Sequence, residues 1–246
     1  MNIVIPMAGL GTRFSQSGFV QPKPLIKIAG KSMFRHAVDC LPLKSANKVI
    51  FIMREDSFSS ELEKEIIKNY AHLPLFILKL DHETEGQAAT ILTSEALLNL
   101  NEPTLIHNCD TYIKEDFNWE DIVAQNIDGA IVLFSSDETR WSYAKLDEDE
   151  QYIIEVQEKN VISNHATTGT YFFKNTVDLI YLIRKNIEEN KRHHGEFYLS
   201  TVYQSMITIN KKIIPLWTKK MLCFGTPADL VDSMNDLLEN RAPYDC

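Results

Sequence analysis

Two short stretches of the chain set permissive backbone beside fixed charge. Met7-Ala8-Gly9-Leu10-Gly11-Thr12-Arg13 follows the apolar run Ile3-Val4-Ile5, and Gln21-Pro22-Lys23-Pro24-Leu25 comes soon after. Glycines let backbone amides approach phosphate oxygens closely, and Arg13 and Lys23 are the cations that a run of phosphates needs. A tight turn with no ligand explains the spacing Gly9-x-Gly11 equally well. It is not the dinucleotide fingerprint, because Phe14 stands at the third glycine, and it is not a P-loop, which needs GxxxxGK and then Ser or Thr. The second stretch is Asn108-Cys109-Asp110, at the end of Thr104-Leu105-Ile106-His107. A carboxylate there offers a hard oxygen to Mg²⁺ held jointly with phosphates, or accepts turn hydrogen bonds, as Asp does after a strand.

For these loops to meet, the elements before them must lie in one open parallel sheet, where ligands bind at the carboxyl ends of the strands. The sequence predicts such a sheet. Strand-like runs at Ile3–Ile5, Lys48–Met53, Leu75–Leu80 and Thr104–His107 alternate with helical spacing at about Ser32–Cys40, Ser57–Tyr70 and Gln87–Leu98. In the second helix Ser57 is the expected cap, with Leu62, Ile66 and Ile67 facing inward. Beyond that the rhythm changes. Ala130–Phe134, Tyr143–Leu146 and Tyr152–Val156, joined through the turn-rich Asp147-Glu148-Asp149-Glu150, read as an antiparallel insertion. Thr170–Phe173, helices at about Val177–Glu189 and Leu199–Thr208, a strand at Lys212–Leu216 and a helix at Ala228–Leu238 complete the pattern. With no repeat or linker, the expectation is one α/β domain over residues 1–246.

Composition narrows the function classes. Lys and Arg number 25 against 34 Asp and Glu, a net charge of −9, with a pI near 5.3. That disfavours a surface built to neutralise a nucleic-acid backbone, although a local pocket for one small anion stays open. Cys40, Cys109, Cys223 and Cys246 form no CxxC pair, so no zinc ribbon or disulfide framework is expected and a reduced, cytoplasmic compartment fits best. No window approaches the roughly 18 apolar residues of a membrane span.

The ordered motifs carry a resemblance. Ile5-Pro6-Met7-Ala8-Gly9-Leu10-Gly11-Thr12-Arg13-Phe14, with Pro22-Lys23-Pro24-Leu25-Ile26 and Gly30-Lys31, resembles the opening of the sugar-1-phosphate nucleotidyltransferases, or nucleotide-sugar pyrophosphorylases. Glu85-Gly86-Gln87-Ala88-Ala89-Thr90 is similar to that family's base-binding turn, Asn108-Cys109-Asp110 to its metal-binding turn, and Glu155-Val156-Gln157-Glu158-Lys159 to its sugar-phosphate segment. Thr168-Gly169-Thr170-Tyr171 and Gly225-Thr226-Pro227 match later signatures. The resemblance implies a Rossmann-like three-layer α/β/α fold with a mostly parallel central sheet, an NTP-binding half over about 1–110 and an acceptor half over about 111–246. It implies a reaction in which an acceptor phosphate attacks the α-phosphorus of CTP, GTP, UTP or dTTP and pyrophosphate leaves. Gly9, Leu10, Gly11 and Thr12 would cradle the triphosphate through their amides. Arg13 and Lys23 would be catalytic, and Met7, Ala8, Gly86, Gln87 and Asn108 would bind the nucleotide, with His82 also near the base. Glu158, Lys159, Gly169 and Thr170 would hold the acceptor, and Asp110 would hold Mg²⁺. Expected partners are the NTP and a small phosphorylated acceptor, with no nucleic acid and no membrane; an exposed aromatic patch in the C-terminal helices would offer a homodimer face. The product would feed capsule or other surface polysaccharide synthesis.

Three departures qualify the resemblance. Cys223 stands where the family usually carries an Asp as second metal ligand, Arg140-Trp141-Ser142-Tyr143 replaces a Tyr-Gly set against the sugar ring, and Asn160 replaces a common proline. A neutral thiol is a poor ligand for Mg²⁺, so either Asp110 and the phosphates suffice or a carboxylate from elsewhere substitutes. The altered segment keeps open a cytidylyltransferase for phosphocholine, glycerol phosphate or a phosphorylated amino acid. Cys223 keeps open a nucleotide-binding regulator without turnover. A glycosyltransferase would need a DxD metal motif, for which Asp147-Glu148-Asp149 is the near candidate in a solvated turn. His193-His194 reads as a solvated loop, and Ser200 as either a helix cap or a residue lining the acceptor site.

Overall fold

The computed structural model describes residues 1–115 and 117–239, so Cys246 lies outside the described residues. In chain order the strands are β1 (Asn2–Met7), β2 (Lys27–Ile28), β3 (Lys31–Ser32), β4 (Lys48–Arg54), β5 (Leu75–Leu80), β6 (Thr104–His107), β7 (Thr111–Glu115), β8 (Gly129–Ser135), β9 (Ser142–Leu146), β10 (Ile153–Glu158), β11 (His165–Phe173) and β12 (Ile213–Cys223). The helices are α1 (Thr12–Gln16), α2 (Met33–Val38), α3 (Ser59–Tyr70), α4 (Gln87–Leu92), α5 (Trp119–Ala124), α6 (Thr176–Glu188), α7 (Leu199–Thr208) and α8 (Pro227–Glu239).

The main sheet runs β5-β4-β1-β6-β11-β8-β12-β7. Its first four strands are parallel, as the alternation of strand and helix requires. β11 then enters antiparallel to both β6 and β8, and β12 returns parallel to β8. The expected antiparallel insertion reduces to the hairpin β9–β10, which joins β11 where Tyr143 faces Ala166; Ala130–Phe134, read as its first strand, is instead part of β8 in the main sheet, between β11 and β12. Its free edge is covered, because Gln204 on α7 accepts from the Val156 amide at 2.8 Å.

Side-chain alternation along the central strands builds the three layers. Ile3, Ile5, Val49, Phe51 and Leu105 pack on one face, with Phe34 from α2, Leu62 and Ile66 from α3 and Trp119 from α5. Val4, Ile50, Ile52 and Ile106 pack on the other, with Ile91 from α4, Ile183 from α6 and Val202 from α7. A smaller cluster joins Phe14, Ile26, Ile28 and Met33 to Leu222, Phe224 and Leu230, binding the N-terminal loops to the C-terminal strand and helix.

Several boundaries differ from the sequence reading. α3 starts at Ser59 rather than Ser57; Asp56 Oδ1 takes the Phe58 amide at 2.9 Å, and Ile67 is exposed, because the buried stripe is carried by Leu62, Ile66 and Tyr70. α4 ends at Leu92, with a separate 3₁₀ turn at Glu95–Leu97. β12 runs on to Cys223, because beyond a bulge at Thr218–Lys220 it leaves β8 and pairs with β7, a strand the pattern did not reveal. The aromatic patch expected on the C-terminal helices reduces, among the described residues, to Tyr181 beside Val177 on α6, since Tyr203 on α7 is buried.

Candidate functional site

A cleft of about 670 Å³ opens across the carboxyl ends of β1, β6 and β10 and the middle of the antiparallel β11. On one side lie Met7, Ala8, Gly9, Leu10, Gly11, Thr12 and Arg13, with Gly86, Gln87 and Asn108 near them. Lys23, Asp110, Glu158, Lys159 and Gly169 also line it, so two loops more than 80 residues apart, carrying Lys23 and Asp110, do meet. Thr170 does not. Its neighbour Gly169 turns at φ +83°, and Thr170 itself is fully buried behind the wall, bonded to His107. His82 is likewise outside the lining, exposed and paired with Asp81. Asp147 receives the Gln151 and Tyr152 amides in the β9–β10 turn, away from the cleft. Ser200 is no cap; its hydroxyl donates to Glu158 at 2.7 Å. His193 and His194 sit ring to ring at 4.3 Å in a loop, and among the described residues no three His, Cys, Asp or Glu side chains form a metal cage.

Local sequence explains the shape of each wall. Gly11 takes φ +64° ahead of α1, with Lys23 Cβ only 3.2 Å from where a methyl would project, so the glycine permits both the turn and the approach of the lysine stem. Gly86, at φ +104°, turns against the Phe197 backbone, where a Cβ would meet the Phe197 amide nitrogen at 2.7 Å. Asn108 packs against Gly169 and accepts from Gln87 Nε2 at 2.5 Å, which ties the expected base-binding turn to the metal-binding turn.

The floor is electrostatically tight. The Lys23 ammonium bonds Asp110 Oδ2 and reaches the Gly225 carbonyl at 3.4 Å. Burial pushes the Asp110 carboxyl up, but the Lys23 charge outweighs it and holds the group below the ordinary carboxylate range; burial pulls Lys23 down, and Asp110 with Cys109 returns it above its ordinary value. Both groups are therefore charged at neutral pH. Behind them His107 is sealed from solvent, with Nδ1 against Thr170 Oγ1 and Nε2 against the Thr111 carbonyl, each at 2.8 Å. The carbonyl can only accept, so Nε2 carries the proton and Nδ1 accepts from the threonine. Burial lowers the ring's pKa to about 4, and the neutral tautomer braces β6, β7 and β11 around the Asp110 turn.

The opposite wall joins the expected acceptor residues Glu158 and Lys159 to side chains for which the motifs implied no role. Glu158, nearly buried, receives hydroxyl bonds from Ser142, its cross-strand partner, and from Ser200. Lys159, at φ +51°, turns its ammonium onto the Tyr198 hydroxyl at 2.8 Å; a non-glycine residue in that conformation is strained, as residues at ligand sites often are. Arg140 stacks over Trp141 at 4.3 Å and pairs with Asp229 Oδ1 at 2.6 Å. Trp141 and Tyr198 lie in segments that the resemblance sets near the acceptor, but neither carried a role of its own, and Asp229, two residues beyond Gly225-Thr226-Pro227, gave no chemical signal in sequence.

The fold is shared with known proteins. A nucleoside-diphosphate-sugar pyrophosphorylase from Vibrio cholerae RC9 superposes with a TM-score of 0.83 at 26% identity, over 95% of this chain and 99% of that one. The mannose-1-phosphate guanylyltransferase catalytic subunit beta of Dictyostelium discoideum is 25% identical over 72% of this chain and 50% of its own length. The bifunctional protein GlmU of Methanococcus aeolicus is 25% identical over 98% of this chain and 55% of its own. The chain thus spans about half the length of these curated relatives. The model of the family described as nucleotidyl transferase matches residues 3–239, and the chain belongs to that family.

Proposed function

We propose that the chain joins an NTP to a sugar 1-phosphate and releases pyrophosphate. The observation that carries this reading is the meeting of Lys23 and Asp110 on the cleft floor, between a glycine-rich backbone loop and a cationic acceptor wall. One bond forms, from an acceptor phosphate oxygen to the α-phosphorus, and one breaks, from the α-phosphorus to the bridging oxygen, which leaves with its electron pair as pyrophosphate. No side-chain nucleophile is needed, because positioning and charge neutralisation do most of the work in such transfers. The Gly9–Thr12 backbone binds the β- and γ-phosphates, and Arg13, exposed at the cleft rim, neutralises charge that builds on them. Lys23 swings from Asp110 to bridge the two reacting phosphates, which otherwise repel. The ionised, oxygen-donating Asp110 fits Mg²⁺, which it would hold and which would supply positive charge to the phosphates.

The acceptor wall discriminates among phosphate esters. Lys159 and Arg140 bring two cations to it, with the faces of Tyr198 and Trp141 already stacked by them. A trimethylammonium head, which would need those faces, is repelled, so phosphocholine is the poorest fit among the non-sugar acceptors. Glu158, held by two serine hydroxyls, is set to accept from sugar hydroxyls. The extra bulk at Ser142 does not fill the cleft, because its hydroxyl is drawn onto Glu158. The product would supply surface polysaccharide synthesis.

Pyrophosphate release from the purified chain with Mg²⁺, four NTPs and a panel of phosphorylated acceptors tests this reading. A sugar 1-phosphate is expected to be the best acceptor. Silence with every pair would point to a regulator, and release of a nucleoside diphosphate from a nucleotide sugar to a glycosyltransferase; either result overturns the proposal.

A further inference from the structure

The family's second metal carboxylate falls on Cys223. A thiol is a soft donor and a poor partner for a hard cation such as Mg²⁺. Six residues on, the first turn of α8 brings a carboxylate back to the same place, with Asp229 Oδ2 3.7 Å from Cys223 Sγ. Gly225 shows how closely the groups converge. A Cβ built on it would stand 3.1 Å from Cys223 Sγ, 3.3 Å from Asp229 Oδ2 and 4.0 Å from Asp110 Oδ2, so the missing methyl leaves a cradle faced by both carboxylates. The chain already seats a positive charge at its edge, where the Lys23 ammonium touches Asp110 and the Gly225 carbonyl. Mg²⁺ is commonly held by one or two carboxylates with substrate phosphates and water completing its shell.

We propose that Asp229 is the second carboxylate ligand of the divalent cation, acting with Asp110 and replacing the ligand lost at Cys223. The proposal rests on the nucleotidyl-transfer reading above. The other bonds of Asp229 leave it suited to the task. Oδ1 is held by Arg140 at 2.6 Å, the Thr226 hydroxyl donates to Oδ2 at 2.8 Å, and the Asp229 amide donates back to Thr226 Oγ1 at 3.1 Å. This reciprocal cap fixes the rotamer, and the side chain is only 10% exposed. Capping alone accounts for Thr226 with Asp229, but it does not require that the carboxylate share a cradle with Asp110.

Titration of the full chain with Mn²⁺, read by the electron paramagnetic resonance of the free ion, tests the proposal, with thermal melting as a check on folding. Asp229→Asn keeps an oxygen for the cap and is expected to weaken Mn²⁺ binding at least about tenfold, the scale on which even outer partners change metal affinity. Cys223→Asp added to Asp229→Asn should recover it. Arg140→Met removes the cation that competes for the Asp229 carboxylate, and should bind Mn²⁺ more tightly than the wild type. Loss of binding in Asp110→Asn with none in Asp229→Asn would overturn this proposal and leave the proposed function standing. Equal losses in Arg140→Met and Asp229→Asn would reduce Asp229 to a structural cap, and if Asp229→Asn does not fold, binding in Arg140→Met no tighter than in the wild type overturns the proposal. A wild-type chain that binds no Mn²⁺ would overturn the metal in both readings.

Discussion

The two sides of the cleft are built on different principles. On the side proposed to take the nucleotide the wall is backbone: Gly9, Leu10 and Gly11 present main chain between β1 and α1, and Gly86 does the same before α4. On the side proposed to take the acceptor the wall is a lattice of side chains, in which Glu158 is bonded to Ser142 and Ser200, Lys159 to Tyr198, and Arg140 to Asp229. Triphosphates are the same in every NTP, so amides and glycines suffice for them; acceptors differ, and side chains are where difference can be encoded. Backbone walls should therefore fail through strain, and side-chain walls through affinity.

The largest effect is expected where the two walls meet. Lys23→Ala removes a preorganised charge and should lower pyrophosphate release about 10²–10³-fold, or about 3–4 kcal/mol, with the fold intact by circular dichroism. Turnover close to wild type would remove Lys23 from the mechanism. Next is the brace behind them. His107 keeps a folded-state pKa of about 4 against an ordinary 6.5, so the unfolded chain takes up the proton first as pH falls. Its contribution is complete above pH 6.5, is lost progressively down to about pH 4 and levels off below that, at about 3 kcal/mol in all. Urea unfolding of His107→Gln between pH 7 and 4.5 should show a flatter pH dependence than the wild type.

Smaller still is the strain test of the backbone wall. Gly86→Ala places a methyl against the Phe197 backbone at φ +104° and should cost about 1–3 kcal/mol, whereas Gly9→Ala, with nothing within 4 Å, should leave the melting temperature near the wild-type value. Equal melting temperatures would contradict this account of the wall. The smallest effect belongs to the side-chain wall, where Ser142→Ala removes one of two hydroxyls on Glu158. It should raise the KM for the acceptor by roughly fivefold, about 1 kcal/mol, and leave the KM for the NTP alone. A matching rise for the NTP would show that the two walls are not separable.

Much of this is legible in the sequence. β1, β4, β5 and β6 are apolar runs with glycine or polar stops, and the loops after them lie where a parallel sheet puts its ligands. β7 escaped notice because Thr111-Tyr112-Ile113-Lys114-Glu115 is short and half polar, and it is a strand because the far half of β12 needs a partner. That far half was hidden too, since Lys219-Lys220 looks like a strand's end when its pairing is unknown. Asp229 shows the same limit at the site. Its spacing from Thr226 describes a cap, and only the bend that carries Cys223 past Gly225 brings it beside Asp110. Thr170 is the converse, matched by motif but turned inward because Gly169 and its neighbours take alternate sides of the wall.

The contact between the Lys23 ammonium and the Gly225 carbonyl links residues 202 positions apart. Closing so long a loop costs only logarithmically more than closing a short one, but it cannot happen until the later residue has been synthesised. The glycine loop and its lysine can thus be made and partly folded long before the floor beneath them exists. A nascent chain held short of β12 would carry much of the glycine loop with no completed site, so competence for the proposed chemistry arrives late in synthesis, with the strand and helix that seal Phe14 and Met33 against Phe224 and Leu230.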